Sequence, residues 1–106
     1  MPATLPTETL ALDGEIDLHR SPEVKELLAA SIERKAPRIL LNLAGVTYID
    51  SSGLAVLIEA LQHALGYGGK LGLFGLQQSV KHIFEIARLD QVFQIYPDEA
   101  AAQADR

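Results

Sequence analysis

The sequence contains no cysteine, which excludes a disulfide framework and any metal site built on thiolates. It also lacks a basic run: nine Lys and Arg residues stand against fourteen Asp and Glu residues, for a formal net charge of −5. Because a protein that neutralises a series of phosphates needs clustered cations, nucleic acid is not an expected partner. No apolar segment is long enough to span a bilayer as a helix. We therefore expect no direct membrane insertion.

A signal peptide is also missing from the sequence pattern. Residues 1–6 contain two prolines and no basic residue, unlike the charged start and apolar centre of a secretion signal. This predicts a cytoplasmic protein.

Hydrophobic residues make up 48% and charged residues 22% of the 106 residues, which is close to average globular composition. A chain of this length accommodates one domain, and its terminal residues are expected to be flexible.

Apolar residues change between strand-like and helical spacing along the chain, which predicts an α/β fold. Strands that alternate with helices indicate a mostly parallel sheet reached by crossover connections. The pattern predicts turns at residues 44–45 and 97–98, a turn or bulge at residues 13–14, and a loop over residues 50–53. Strands are predicted over residues 8–16, 38–43, 70–76 and 92–96. Helices are predicted over residues 22–35, 54–65 and 80–87, and a frayed helix over residues 99–106. Ser21 is the predicted N-cap of the first helix and Ser79 of the third.

Two patterns that carry chemistry in other proteins have plainer explanations here. His19, His63 and His82 lie in different predicted elements, with no Glu or Cys at metal-ligand spacing, so no metal site is expected. Residues 66–70 resemble part of a phosphate-binding loop, but they follow a helix and lack the required Gly-Lys-Ser/Thr ending. A turn that ends the helix is the better interpretation, and no cofactor is expected.

The most distinctive segment is Asp50-Ser51-Ser52-Gly53, where a strand gives way to a strongly apolar helix. Neither serine lies in a Gly-x-Ser-x-Gly elbow, and no histidine or lysine is placed by the sequence as a base, so the chain is not expected to be an enzyme. One N-cap would stabilise the helix by about 1 kcal/mol, but it needs only one residue. An exposed hydroxyl at this position could also accept a phosphate. Phosphorylation would add roughly −1.5 to −2 charges to the start of the helix. Both interpretations stay open on residue types alone.

A resemblance to a known family adds to this. Residues 41–57, LNLAGVTYIDSSGLAVL, closely resemble the signature of STAS domains, in particular the bacterial anti-sigma factor antagonists. Residues 14–17 are similar to the family's Gly-Glu-Leu-Asp, and residues 69–73, 79–84 and 89–93 match further segments in order, so the likeness covers about residues 8–98. Two departures stand out. The short N-terminus predicts a reduced or missing first edge strand, and Ala87-Arg88 stands where many relatives have a glycine before the leucine.

The resemblance implies a single STAS domain with a mixed sheet of four or five strands and helices mainly on one face. It implies that Ser51 is phosphorylated by an anti-sigma factor that is also a serine kinase, and that a metal-dependent protein phosphatase removes the phosphate. The unphosphorylated protein would bind the anti-sigma factor and release a sigma factor, a partner-switching signal that regulates transcription. The docking surface implied around Ser51 consists of Asp17, Asp50, Ser52, Gly53 and Leu54.

Two other functions stay open for a chain with this resemblance. STAS domains are also similar to small regulatory subunits on the ATPase of lipid-transporting ABC systems, where an Asp-Ser-x-Gly loop contacts the partner without phosphate. A nucleotide-binding STAS domain is the third possibility, and it predicts measurable affinity for GTP or ATP.

Overall fold

Four strands alternate with four helices in the computed structural model, which describes residues 6–105. The elements agree in order with the pattern predicted from the sequence, and their bounds differ by a few residues. They are β1 (Thr7–Ile16), α1 (Ser21–Glu33), β2 (Arg38–Ile49), α2 (Ser51–Gly66), β3 (Lys70–Phe74), α3 (Gln78–Ile86), a short 3-10 helix (Leu89–Gln91), β4 (Gln94–Tyr96) and α4 (Glu99–Ala104).

The sheet has the strand order β1-β2-β3-β4, and each pair of neighbours is parallel. The resemblance predicted a mixed sheet, whereas every pairing found within residues 6–105 is parallel. Parallel neighbours need a crossover connection, and α1, α2 and α3 supply the three that this order requires. An additional edge strand ahead of β1 would lie outside the described residues.

Alternating side chains divide the core between the two faces of the sheet, as the two-residue period of a strand dictates. On β2, Ile39 and Leu41 belong to the main core, which contains the buried residues of α1, α2 and α3. Leu40 belongs to a smaller cluster with Phe74 and with Ala102 of α4. Within residues 6–105, three helices therefore cover one face and α4 alone packs on the other, which confirms the expectation of helices mainly on one face.

The helical spacing of Leu54, Leu57, Ile58, Leu61 and Leu65 predicts one apolar face for α2, and the structure largely agrees. Leu57 is 0% exposed and Leu61 6%, while Leu54 and Ile58 are half-buried and pack against the main core. Leu65 departs from the stripe, because its side chain is 60% exposed near the end of the helix. This helix fixes the position of the segment that precedes it.

The turn predicted at residues 44–45 is wrong, because β2 continues through it to Ile49. Ala11 pairs with Asn42 and Asp13 pairs with Gly45, so β2 holds one residue more than β1 over this stretch. The extra residue is a β-bulge, which bends the strand without ending it. The turn or bulge predicted at residues 13–14 is wrong in its strand: Gly14 pairs with Val46 and Glu15 pairs with Tyr48, so the extra residue of this second bulge also lies on β2. Gly14 itself has a φ of 69°, in the left-handed region that suits glycine.

Both predicted serine N-caps are wrong. Ser21 is the first residue of α1, and its hydroxyl donates to the carbonyl oxygen of Asp17 at 2.9 Å instead of capping an N–H group. The cap position of α3 is Gln77, one residue before the helix begins at Gln78, so Ser79 already lies inside the helix. The last strand is also shorter than predicted, since the N–H groups of residues 92 and 93 bond back to Leu89.

Candidate functional site

The predicted loop over residues 50–53 is in fact the beginning of α2. Asp50 is the N-cap, with extended backbone angles, and Ser51 is the first helical residue. The Asp50 carboxylate accepts hydrogen bonds from the N–H groups of Ser52 at 2.9 Å and Gly53 at 3.1 Å. Two of the four N–H groups that a helix leaves unpaired at its start are therefore satisfied by one side chain. The N-cap interpretation holds for Asp50 and leaves both serine hydroxyls unexplained.

Gly53 places the start of α2 directly against the ends of β1 and β2. A Cβ at this position would lie 2.5 Å from the carbonyl oxygen of Ile16 and 2.7 Å from Cγ1 of Ile49. Only a residue without a side chain allows the helix to approach this closely. Gly53 is buried, so it positions the surface at the helix start and contributes little area to it.

The two serines differ in exposure. Ser51 is exposed and Ser52 is half-buried. No hydrogen bond to the Ser51 hydroxyl is found from any residue in the range 6–105. This hydroxyl lies at the positive end of the α2 dipole, where negative charge is stabilised.

Asp17, predicted as part of the same surface, follows the neighbouring strand. Ile16 and Ile49 are the last paired residues of β1 and β2, so Asp17 and Asp50 follow them at the same edge of the sheet. The N–H of Asp50 also donates to the carbonyl oxygen of Ile16 at 3.2 Å. The structure thus brings the two aspartates predicted from distant segments to one end of the molecule.

The side chain of Asp17 holds its own turn. Its Oδ1 accepts hydrogen bonds from the N–H groups of His19 and Arg20, each at 3.0 Å. Leu18, between Asp17 and His19, is 67% exposed and was not among the predicted site residues. The sequence signal that could have found Leu18 is an apolar residue within a polar connection between a strand and a helix. Because its large side chain is exposed next to this turn, Leu18 is an additional candidate for contact with a partner.

The chemistry available at this end of the sheet is limited. Across residues 6–105, no group of three or more His, Asp and Glu side chains is placed to hold a metal ion. His63 lies 3.7 Å from Glu59 and His82 lies 3.9 Å from Glu85, each pair on one helix surface. Neither histidine is at the start of α2.

No helix in the described part of the chain is long and apolar enough to cross a membrane.

The sequence model of the STAS domain family matches residues 4–102. The chain belongs to the STAS domain family. An anti-sigma-B factor antagonist of Listeria monocytogenes is 34% identical over 82 residues, which cover 77% of this chain and 72% of that protein. In this STAS domain, the signature of residues 41–57 spans the end of β2 and the start of α2, and so builds the site described above.

Solved structures share the fold of this STAS domain. An anti-sigma factor antagonist from Mycobacterium paratuberculosis matches with a TM-score of 0.85 at 20% identity, over 97% of this chain and 87% of that one. The phosphorylated form of the Bacillus cell fate determinant SpoIIAA matches with a TM-score of 0.71 at 20% identity, over 100% of this chain and 96% of that one. At these identities the likeness establishes the fold alone.

Proposed function

We propose that this STAS domain is an anti-sigma factor antagonist switched by phosphorylation of Ser51. The unphosphorylated form binds an anti-sigma factor with serine kinase activity and thereby releases a sigma factor. Phosphorylation by that kinase ends the interaction, and a metal-dependent protein phosphatase restores it. The relatedness to an anti-sigma-B factor antagonist supports the class of partner.

The observation that carries the choice of residue is the free hydroxyl of Ser51. Within the signature segment, the carboxylate of Asp50 is engaged in capping α2 and Gly53 is packed against Ile16. Ser52 is half-buried, whereas Ser51 is exposed. A kinase must reach the hydroxyl oxygen from solvent, and Ser51 meets this requirement without disturbing the cap.

The proposed docking surface surrounds this hydroxyl. Asp50 and Ser52 flank Ser51 on the helix start, and the turn that begins with Asp17 lies at the same edge of the sheet. The exposed side chain of Leu18 supplies apolar area next to these polar groups, a combination common at protein interfaces. Leu54 packs half-buried against the main core and adds its remaining surface.

We further propose that the chain has no catalytic activity of its own. No histidine of the described residues is placed as a base for the Ser51 hydroxyl: His19 precedes α1, His82 lies on α3, and His63 lies near the far end of α2. A serine nucleophile needs a base within hydrogen-bond reach. The chain is then a substrate of a kinase and a binding partner, which acts by presenting or withholding a surface.

The experiment that tests this function is phosphorylation by the cognate anti-sigma kinase with ATP, followed by mapping of the phosphate by mass spectrometry. Wild type and Ser52→Ala should be labelled on residue 51, and Ser51→Ala should not be labelled. Ser52→Ala is the matched control, because it removes the neighbouring hydroxyl at the same helix start. Label on Ser52, or label that survives Ser51→Ala, would contradict the assignment. Binding to a membrane transporter in place of a kinase would contradict the class of partner.

A further inference from the structure

A second concave site lies at the other end of the molecule. Arg38, Lys70 and Gln94 are the first residues of β2, β3 and β4, and they line a pocket of about 370 Å³. Leu65 of α2 lines the same pocket. It follows Ser51 by 65 − 51 = 14 helical residues, which is roughly 20 Å at 1.5 Å per residue. The pocket is therefore separate from the surface proposed to bind the anti-sigma factor.

Among the described residues, two cations line this pocket, Arg38 and Lys70, and neither is paired with a carboxylate. Arg38 is only 8% exposed, and its guanidinium donates to the carbonyl oxygen of Ala102. No ion pair to Arg38 or to Lys70 is formed by any group in the described range. The acidic lining residue, Asp105, is engaged by the hydroxyl of Tyr96. The described lining residues of the pocket carry two positive charges and one negative, so the pocket is locally positive in a chain whose formal net charge is −5.

The same pocket has an apolar side. Leu65 is 60% exposed and Val92 is 54% exposed, and both line it, with the buried Leu61 beside them. Exposed large apolar side chains that converge on a concavity are candidates for contact with an apolar ligand. Ligand sites are commonly of this kind, with apolar walls and a few fixed polar groups.

We propose that this pocket binds a small amphiphilic anion, an aliphatic chain that ends in a carboxylate or a phosphate. The guanidinium of Arg38 and the ammonium of Lys70 hold the anionic head, since charge-assisted hydrogen bonds from these groups are strong and neither cation forms an ion pair with a described residue. The aliphatic chain lies against Leu65 and Val92 and removes their apolar surface from water. This site is independent of the proposed function of Ser51.

Titration of the isotope-labelled protein with octanoate, with octyl phosphate and with 1-octanol tests the ligand class by NMR. The amides of residues 65, 70 and 92 should shift with both anions. The neutral alcohol should bind at least about tenfold more weakly, because it cannot replace a charge-assisted hydrogen bond. No shift at these amides, or equal affinity for the alcohol, would overturn the proposal. A preference for one anion identifies the head group.

Charge variants separate a specific site from general attraction. Lys70→Glu should weaken octanoate binding at least about tenfold, and Lys70 is exposed, so the fold should be kept. Lys81→Glu is the matched control, because Lys81 is also exposed, lies on α3 outside this pocket and makes the same change in net charge. Binding should be unchanged in that control. Equal weakening in the two variants would show that only net charge matters and would overturn the site.

Discussion

The carbonyl oxygen of Ile16 accepts a hydrogen bond from the N–H of Asp50 at 3.2 Å. This bond joins the end of β1 to the cap of α2 and continues the pairing of Ile16 with Ile49. The same carbonyl oxygen is the atom that a side chain at Gly53 would meet first, at 2.5 Å. The surface that carries Ser51 is therefore fixed to the end of β1 by direct backbone contact.

A side chain at position 53 should push the start of α2 away from the ends of β1 and β2. Gly53→Ala is expected to lower the free energy of unfolding by about 1–3 kcal/mol, because the added methyl meets the backbone carbonyl oxygen of Ile16 and the buried side chains of Ile16 and Ile49. Gly66→Ala is the matched control in the same helix, where nothing lies within 4 Å of the added Cβ. That variant should be neutral or more stable by up to about 1 kcal/mol. Urea unfolding measures both, and equal effects would contradict the close contact at Gly53.

Removal of the Asp50 cap should weaken the start of α2. Asp50→Ala is expected to cost about 0.5–2 kcal/mol, since the N–H groups of Ser52 and Gly53 lose their acceptor. Asp50→Asn should keep most of this stability, because its amide oxygen can still accept from the same groups. Thermal unfolding of both variants checks the prediction. A loss in Asp50→Asn as large as in Asp50→Ala would show that the charge, and not the cap, is what stabilises the helix.

The position at which many STAS relatives have glycine has a backbone that suits glycine. Arg88 follows α3 with a φ of 59°, in the left-handed region, whereas the preceding Ala87 has a φ of −80°. Arg88→Gly should stabilise the protein by up to about 1 kcal/mol, because relief of the left-handed strain exceeds the added entropy of the unfolded chain. Ala87→Gly should be destabilising by about 0.5–1 kcal/mol. Chemical denaturation compares them, and the opposite ranking would contradict the backbone angles.

The sequence was informative where one local rule decided the outcome. The spacing of Leu57 and Leu61 predicted α2, and the change from strand to helix placed the site at Asp50 and Ser51. The sequence was uninformative where contacts between distant segments decided the local structure. Whether residues 50–53 form a loop or a helical turn depends on the approach of Gly53 to Ile16, which belongs to a distant segment. Ala44, predicted to lie in a turn, likewise falls within a bulge, because β2 pairs with β1 before it at Asn42 and after it at Gly45.

Acid should weaken the contact between the start of β1 and the end of α1. The pKa of Glu8 lies below its ordinary value of 4.5, chiefly because Arg34, and then Ser31, hydrogen-bond its carboxylate. A group whose pKa is lowered by folding adds stability above the pKa of the unfolded chain, and this is lost as the pH falls through the folded value. Glu8→Gln should therefore be less stable than wild type at neutral pH, with a difference that narrows below 4.5. Urea unfolding of both proteins from neutral pH to below 4.5 measures this difference. A difference that does not change with pH would contradict the stabilising role of the ionised Glu8 carboxylate.

Phosphorylation of Ser51 should leave the fold of the free protein intact. A phosphate at the first position of α2 is stabilised by the helix dipole by about 0.3–1 kcal/mol. The Asp50 carboxylate already accepts from the N–H groups of Ser52 and Gly53, so the phosphate gains no such bonds and is repelled by its neighbour. These effects oppose each other, and the melting temperature should change little.

Binding to the anti-sigma kinase should instead weaken sharply on phosphorylation of Ser51. The hydroxyl is exposed at the proposed interface, and a dianion forced into a contact built around a neutral group loses hydration without a prepared counter-charge. An unpaired buried charge costs about 3–5 kcal/mol, which is roughly a hundredfold to several-thousandfold in affinity at about 1.4 kcal/mol per tenfold. Ser51→Asp should reproduce only part of this loss, because a carboxylate carries less charge than a phosphate. Titration calorimetry of the three forms decides the matter, with Ser51→Ala as the control that should still bind. Equal affinity for all forms would remove the switch and favour a constitutive binding subunit.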